Sequence, residues 1–292
     1  MDKIVASTYS FTRLIDNGSL TQIECLSKAK EMGFEGIEIV DIRPHDGRSE
    51  MKYAELLAEE AKRIKLPIVN YTIGADFLTG SDGDTKAEIE RVKRQIDIAA
   101  ILGAKGVRHD ATNGYGEGRG FKSFNSVLPI LVKACGEITK YASTLGIRTM
   151  VENHGFFCQD SDRMEKLITE VNHENFGWLV DIGNFLCTDE NPAIAVGRAA
   201  PYAFYVHAKD FYVKSGREDN PGEGFFLTRG GNYLRGAILG HGGVPVAQCL
   251  AALHRGGYRG DIAIEFEGME DTLTGISISL ANLKRYIAEL KV

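Results

Sequence analysis

Eight short apolar runs, each followed by a stretch with helical spacing of its apolar residues, constrain this 292-residue chain more than any other feature. The runs are Ile4 to Ser7, Gly36 to Val40, Ile68 to Tyr71, Gly106 to His109, Arg148 to Glu152, Gly177 to Val180, Ala203 to Val206 and Ile262 to Phe266. The helical stretches after them are Leu20 to Met32, Met51 to Lys65, Thr85 to Leu102, Ser123 to Leu145, Ser161 to Val171, Asn191 to Ala200, Val244 to His254 and Thr272 to Leu290. Glycines at 33, 103 and 146 and Pro67 close four of the helices, and Pro192 sits in the first turn of another. Strands this short and this apolar need cover on both faces, which a parallel sheet wrapped in helices supplies. Eight βα units close into a barrel of roughly 250 residues or more. No GxGxxG or Walker sequence follows the first strand, so an open doubly wound sheet has no support.

The expectation is therefore an α/β protein with a single (β/α)8 TIM barrel as one domain over residues 1–292. One connection departs from the pattern. Between the seventh strand and its helix, residues 211–243 contain nine glycines and are too long for an ordinary βα loop. A lid or specificity loop over the C-terminal face is one reading, and a surface excursion or subunit contact is the other.

Charge and cysteine usage exclude several function classes. A net charge of -6 argues against a broad nucleic-acid surface, which depends on clustered Lys and Arg. No run of about 18 apolar residues could cross a membrane, and the N-terminus lacks the apolar core of a signal peptide. Five separated cysteines with no CxxC pair indicate neither a disulfide framework nor a cysteine zinc site. A cytoplasmic protein acting on a small molecule fits these features. A homo-oligomer is compatible with them.

In such a barrel the C-terminal strand ends form the active face, so a polar residue directly after an apolar run is informative. The fifth strand delivers Glu152, the sixth Asp181, the seventh His207 and the eighth Glu265. Three carboxylates and an imidazole form a mixed oxygen and nitrogen set suited to one divalent ion. Mn²⁺ is favoured, with Mg²⁺, Co²⁺ and Zn²⁺ as alternatives. Lying two residues beyond Glu152, His154 would share its side of an extended segment and serve as a substrate hydrogen-bond donor or second base. Lys209 stands in the same relation to His207 and would neutralise a negatively charged oxygen of a substrate or pair with a carboxylate. Asn184 would bond a substrate hydroxyl or cap its loop, and Arg108, His109 and Asp110 would make rim contacts, with His109 counted among the substrate-binding candidates. Glu267 competes with Glu265, which is preferred for its place directly after the run, and Glu38 is read as structural.

The segments Val151 to Gly155, Val180 to Asn184, Val206 to Asp210 and Gly257 to Glu265 resemble the xylose isomerase-like barrel superfamily, which holds sugar isomerases and epimerases together with endonuclease IV-type repair enzymes. The resemblance covers nearly the whole chain. It implies that Glu152, Asp181, His207 and Glu265 are metal ligands and that Glu152 and Glu265 also move the proton. The implied reaction is isomerisation or epimerisation of a keto-sugar or polyol-derived ketone, in which a polarised carbonyl makes the adjacent C–H acidic and a metal-bound enediolate forms. A lyase on the same scaffold, with His154 as base and β-elimination from a 3-oxo-glycoside or a dehydration, is the alternative. A non-catalytic metal-binding subunit is a third reading. Asn70 and Asn184 stand where the repair enzymes have histidine, and Cys158 where keto-sugar epimerases have a glutamate. The absence of an evident phosphate cradle favours an unphosphorylated sugar or polyol.

Overall fold

The computed structural model describes residues 1–114 and 123–290. Strand β1 (Ile4–Ser7) runs through a 3-10 turn at Thr8–Phe11 into the short helix α1 (Thr12–Asp16) and then α2 (Gln22–Met32). The alternation continues through β2 (Gly36–Val40), α3 (Glu50–Ile64), β3 (Ile68–Ile73), α4 (Thr85–Leu102), β4 (Gly106–His109), α5 (Phe124–Thr144), β5 (Arg148–Glu152), α6 (Ser161–Val171), β6 (Phe176–Asp181), α7 (Pro192–Ala199) and β7 (Ala203–Ala208). Three strands then interrupt it: β8 (Asp210–Lys214), β9 (Phe226–Leu227) and β10 (Tyr233–Ala237). Helix α8 (Val246–Arg255), β11 (Ile262–Ile264) and α9 (Thr272–Glu289) complete the chain. Helix starts coincide with side-chain caps: Thr21 and Glu24 form a reciprocal capping box, and Ser49, Asp84, Ser123, Asp160, Asn191 and Asp271 cap later helices.

Strands β1 to β7 and β11 form one closed barrel, in which consecutive strands are parallel neighbours and β11 pairs with both β7 and β1. The eight-unit barrel expected from sequence is thus the observed architecture. Period-two alternation sorts the side chains. Val5, Met150, Leu179, Tyr205 and Ala263 form an apolar cluster inside the barrel. Two residues farther along each of those strands come Ser7, Glu152, Asp181, His207 and Glu265, all buried. Glu38, Asn70 and Arg108 supply buried polar groups from the remaining three strands. The alternate residues, among them Ile37, Val107, Val151, Trp178 and Val206, join the larger core under the helices. Every barrel strand therefore carries a polar side chain toward its C-terminal end, not only the last four.

The long 211–243 connection is an antiparallel ribbon with strand order β8-β10-β9. Phe211 and Leu234 bury themselves against Cys187, giving the ribbon its own small core. Its two ends are pinned by Asp210, whose carboxylate accepts backbone N–H bonds from Phe211, Gly240, Gly242 and Val244 at 2.8, 2.9, 2.9 and 3.0 Å. Its tip is held by Asp189, which accepts from the Thr228 hydroxyl and the Asn232 amide, and by Arg229, which donates to Asp160 and to the Phe156 carbonyl.

Removing the Asp210 carboxylate strands four N–H groups. Asp210→Ala is expected to cost about 2–4 kcal/mol and to open the ribbon to trypsin at Lys214, Arg217 or Arg229. A cleavage pattern and melting temperature equal to the parent chain would show that Asp210 does not hold the ribbon.

Candidate metal centre and active site

The site is built by giving each donor two jobs. One ligand atom from each of Glu152, Asp181, His207 and Glu265 lies within 4.8 Å of the others, and all four residues are buried. In each residue the second polar atom is already committed to the protein. His207 Nε2 lies 3.0 Å from Glu38 Oε2, so a proton on Nε2 leaves Nδ1 bare. Glu38 is fixed in turn by the Ser7 hydroxyl at 2.7 Å and the Asn70 amide at 2.9 Å. Asp181 Oδ1 accepts from the backbone N–H groups of Gly183 and Asn184 at 2.7 and 2.9 Å, leaving Oδ2 buried without a hydrogen-bond partner. Arg108 Nε donates to Glu152 Oε2 at 2.6 Å, and Lys209 pairs with Glu265 Oε2. The other oxygens of the two glutamates, Oε1 in each, stand 3.6 Å from His207 Nδ1, and that of Glu152 also accepts from the Asn184 amide.

These features fit a divalent cation by the chemistry of the donors. Buried polar atoms normally find partners, yet Asp181 Oδ2 and His207 Nδ1 have none and both face the cluster. Four carboxylates (Glu38, Glu152, Asp181 and Glu265) surround His207 or the donor cluster against two cations, Arg108 and Lys209. With Asp110 and Glu267 also drawing on those two cations, carboxylates outnumber cations around the cluster, an excess of negative charge that a divalent ion would lower. The electrostatics carry the same strain. Burial pushes the Asp181 carboxyl up to about 7, despite Lys209. Burial opposes charge on His207 as well, but Glu38, Glu265 and Glu152 reverse that and raise it well above the ordinary histidine range. Glu152 and Glu265 resist burial: Arg108 holds the first below the usual carboxylate range, and Lys209 with His207 holds the second well below it.

Local sequence explains the placement. In the Glu152, Asn153, His154 triplet the outer two residues face the cavity, while Asn153 points the other way and ties β5 to β6. It accepts from Trp178 Nε1 and the Asp181 N–H and donates to the Asp181 carbonyl. Gly183 is required by close approach, since a Cβ there would stand 2.8 Å from the Lys209 carbonyl oxygen. Gly236 lets β10 lie against the chain after β11, because its Cβ would meet the Glu267 carbonyl at 2.5 Å.

The cavity over the cluster measures about 930 Å³ and reaches from Tyr9 to the ribbon. His154 lines it with Nδ1 held by Asp110 Oδ1 at 3.0 Å. Burial works against a charge on His154, but Asp110 outweighs it and raises the imidazole above its ordinary range. Asp110 also pairs with Arg108, so His154, Asp110, Arg108 and Glu152 form one continuous chain of contacts. Lys209 is buried between Glu265, Asp181 and Glu267, with the ring of Tyr9 5.5 Å away. Of the two competing glutamates, Glu265 is the one at the cluster, whereas Glu267 binds Tyr9 and Lys209.

One expectation is corrected. His109 does not reach the cavity: on β4 it is Arg108 that points inward, so alternation sends His109 to the helix layer. There it bonds the Asp110 carbonyl at 2.8 Å and packs between Phe77 and Phe176, and burial pushes it down to about 4. Asn184 lines the cavity but spends its amide on Glu152 Oε1 at 2.9 Å. Cys158 lies in the core, while its neighbour Gln159 lines the cavity. Sequence reading passed over Tyr9, Phe156, Gln159 and the ribbon residues Phe211 and Phe226, which also line it. All five cysteines are free and buried, and no helix among the described residues is long and apolar enough to cross a membrane.

Comparison with known proteins agrees with the fold. The family model described as "Xylose isomerase-like TIM barrel" matches residues 26–286. The rhizopine catabolism protein MocC of Rhizobium meliloti is 25% identical over 281 residues, covering 91% of this chain and 81% of its own. Among solved structures, an IOLI protein with a bound zinc atom superposes with a TM-score of 0.77 at 17% identity, covering 99% of each chain. The 3-keto-D-glucoside 4-epimerase YcjR of E. coli superposes with a TM-score of 0.70 at 17% identity, covering 98% of this chain and all of its own.

Glu38 fixes which nitrogen His207 presents, and loss of such a partner weakens metal affinity by about 10–100-fold. Titration calorimetry of Mn²⁺ into chelator-stripped protein is expected to give one site per chain, weakened by that factor in Glu38→Gln. Equal affinity in parent and variant would remove Glu38 from the account.

Proposed function

The chain belongs to the xylose isomerase-like TIM barrel family, and from that premise we propose that it is a divalent-metal-dependent isomerase or epimerase of a keto-sugar or polyol-derived ketone. The observation that carries this reading is the pair of glutamates. Glu152 and Glu265 come from strands separated by β6 and β7, each presents one oxygen to the cluster, and each is kept ionised by its own buried cation. Glu152, Asp181, His207 and Glu265 would hold the ion, which would supply Lewis acidity to a substrate carbonyl and its neighbouring oxygen. Mn²⁺ suits the donors best, with Mg²⁺, Co²⁺ and Zn²⁺ as alternatives.

The chain's own groups do the rest. One glutamate takes a proton from the carbon next to the carbonyl, and the electron pair moves onto the carbonyl oxygen to give an enediolate. The opposite glutamate, after drawing a proton from water, delivers it to the other face, which inverts that centre; return of the first glutamate's proton to the neighbouring carbon instead exchanges aldose and ketose. Lys209, beside Glu265, offers N–H groups to the oxygen that gains charge. His154 offers Nε2 to a substrate hydroxyl, since Asp110 occupies Nδ1. Among the described residues of the lining, Arg108 and Lys209 are both already paired with carboxylates, so neither is spare for a phosphate. An uncharged sugar or polyol is the substrate class this favours.

The His154 and Asp110 pair supports one second reading, a lyase in which His154 removes the proton and a β-substituent departs. Incubation of Mn²⁺-loaded protein with keto-sugars in D₂O separates the two. Deuterium uptake with a new stereoisomer is the expected result, and uptake with an elimination product would favour the lyase. Glu152→Gln is expected to lower the exchange rate by about 10²–10⁴-fold, and His207→Ala to abolish it through loss of the ion. No exchange across the panel, or full activity in excess chelator, would contradict the proposal.

A further inference from the structure

Among the described residues, the aromatic side chains that remain substantially exposed are Tyr9, Phe156 and Phe226, at 36%, 42% and 36%. All three line the same cavity. Exposed rings are disfavoured wherever they occur, and their confinement to one opening points to a partner that covers them. Phe156 is doubly unfavourable where it stands. Its backbone is left-handed, with φ of +62°, a conformation that Gly or Asn adopts readily and a large L side chain resists. The chain holds it there from both sides: its N–H donates to Gln159 Oε1, and its carbonyl accepts from Arg229 on the ribbon. Gln159 continues the connection by donating to the Asn184 carbonyl at 2.8 Å, and Asn184 holds Glu152. Phe226 comes from β9 of the same ribbon and packs edge-on against Phe211. Strained residues fixed by their surroundings at a cavity are candidates for a role in binding.

The size of the cavity indicates what these rings cover. At about 930 Å³ it is near the top of the range of roughly 300–1,000 Å³ for small-molecule sites, well beyond one sugar ring. The buried Glu152, Glu265, Arg108 and Lys209 line it on the side of the cluster, while the exposed Phe156 and Phe226 line it toward solvent. We propose that Phe156 and Phe226 form an outer aromatic subsite for a second, uncharged ring attached to the reacting sugar, so that the substrate is a glycoside rather than a free monosaccharide. This deepens the reading of the site as a keto-sugar enzyme and rests on it. The apolar ring faces supply area and orientation without hydrogen bonds, which suits an aryl aglycone or the C–H face of a second sugar.

The test uses the full chain with Mn²⁺ and three unoxidised probes: methyl β-glucoside, phenyl β-glucoside and cellobiose, with dissociation constants from calorimetry and contact from saturation-transfer NMR. Phenyl β-glucoside or cellobiose is expected to bind about tenfold more tightly than methyl β-glucoside, with saturation reaching the second ring. Whichever of the two wins identifies the kind of ring. The preference is expected to fall below about twofold in a Phe156→Asn, Phe226→Ala double variant, while methyl β-glucoside affinity stays within about twofold of the parent. Asn tolerates the left-handed backbone, and an unchanged circular dichroism melt confirms that the variant folds. Equal binding of all three probes, no binding of any, or a preference that survives the double variant would overturn the subsite. A second-ring preference in a chain that shows no deuterium exchange would sink the proposed reaction and leave the subsite standing.

Discussion

Bringing three carboxylates and an imidazole to within 4.8 Å of one another in a dry barrel is the constraint on which the rest of this structure depends. Like charges at such distances in a poorly polarisable interior repel strongly, and burial alone would neutralise them. The chain answers with one partner per donor. Arg108 takes an oxygen of Glu152, Lys209 one of Glu265, two backbone N–H groups one of Asp181, and Glu38 the far nitrogen of His207. Arg108 comes from the neighbouring strand β4, Lys209 follows the neighbouring β7, the two N–H groups lie in the turn after β6, and Glu38 reaches His207 across the interior from β2, which the closed barrel makes possible. An open sheet could not surround the four donors with their partners from both sides.

Much of this was legible in the sequence, for identifiable reasons. The parallel strands are buried on both faces and read as short apolar runs, so the eight units could be counted. A polar residue directly after such a run marks the C-terminal face, which located Glu152, Asp181, His207 and Glu265. Glu38, Asn70 and Arg108 were noticed, but not as partners of the four donors, because they lie inside their runs, where a polar residue looks like an interruption. Period two marks the others: Ser7, Glu152, Asp181, His207 and Glu265 each stand two residues beyond an interior apolar residue. The same rule separates Arg108 from His109, which differ by one position and face opposite layers.

The ribbon was harder to read because its glycines suggested a loop. Phe211 to Val213 and Tyr233 to Leu234 have strand chemistry, but the partner strands are separated by a long excursion and their pairing depends on Asp210 gathering both ends. Phe156 shows the opposite limit. Nothing in the sequence marks a phenylalanine as left-handed: the conformation is held by Gln159, three residues on, and by Arg229, which reaches it only through the fold. Long-range capture of backbone groups leaves no local signature.

The floor and the wall of the cavity thus solve different problems. The floor concentrates charge and holds it in place, and the wall presents aromatic surface on a segment anchored at its base and tip. The account stands most directly on the convergence of the four donor atoms. Anomalous diffraction at the manganese edge from crystals grown with Mn²⁺ measures it. A single peak within about 2.0–2.4 Å of Glu152, Asp181, His207 Nδ1 and Glu265, with Glu38 still on His207 Nε2, is the predicted result. No peak there, or an ion bound elsewhere while those four side chains keep their present contacts, would contradict it.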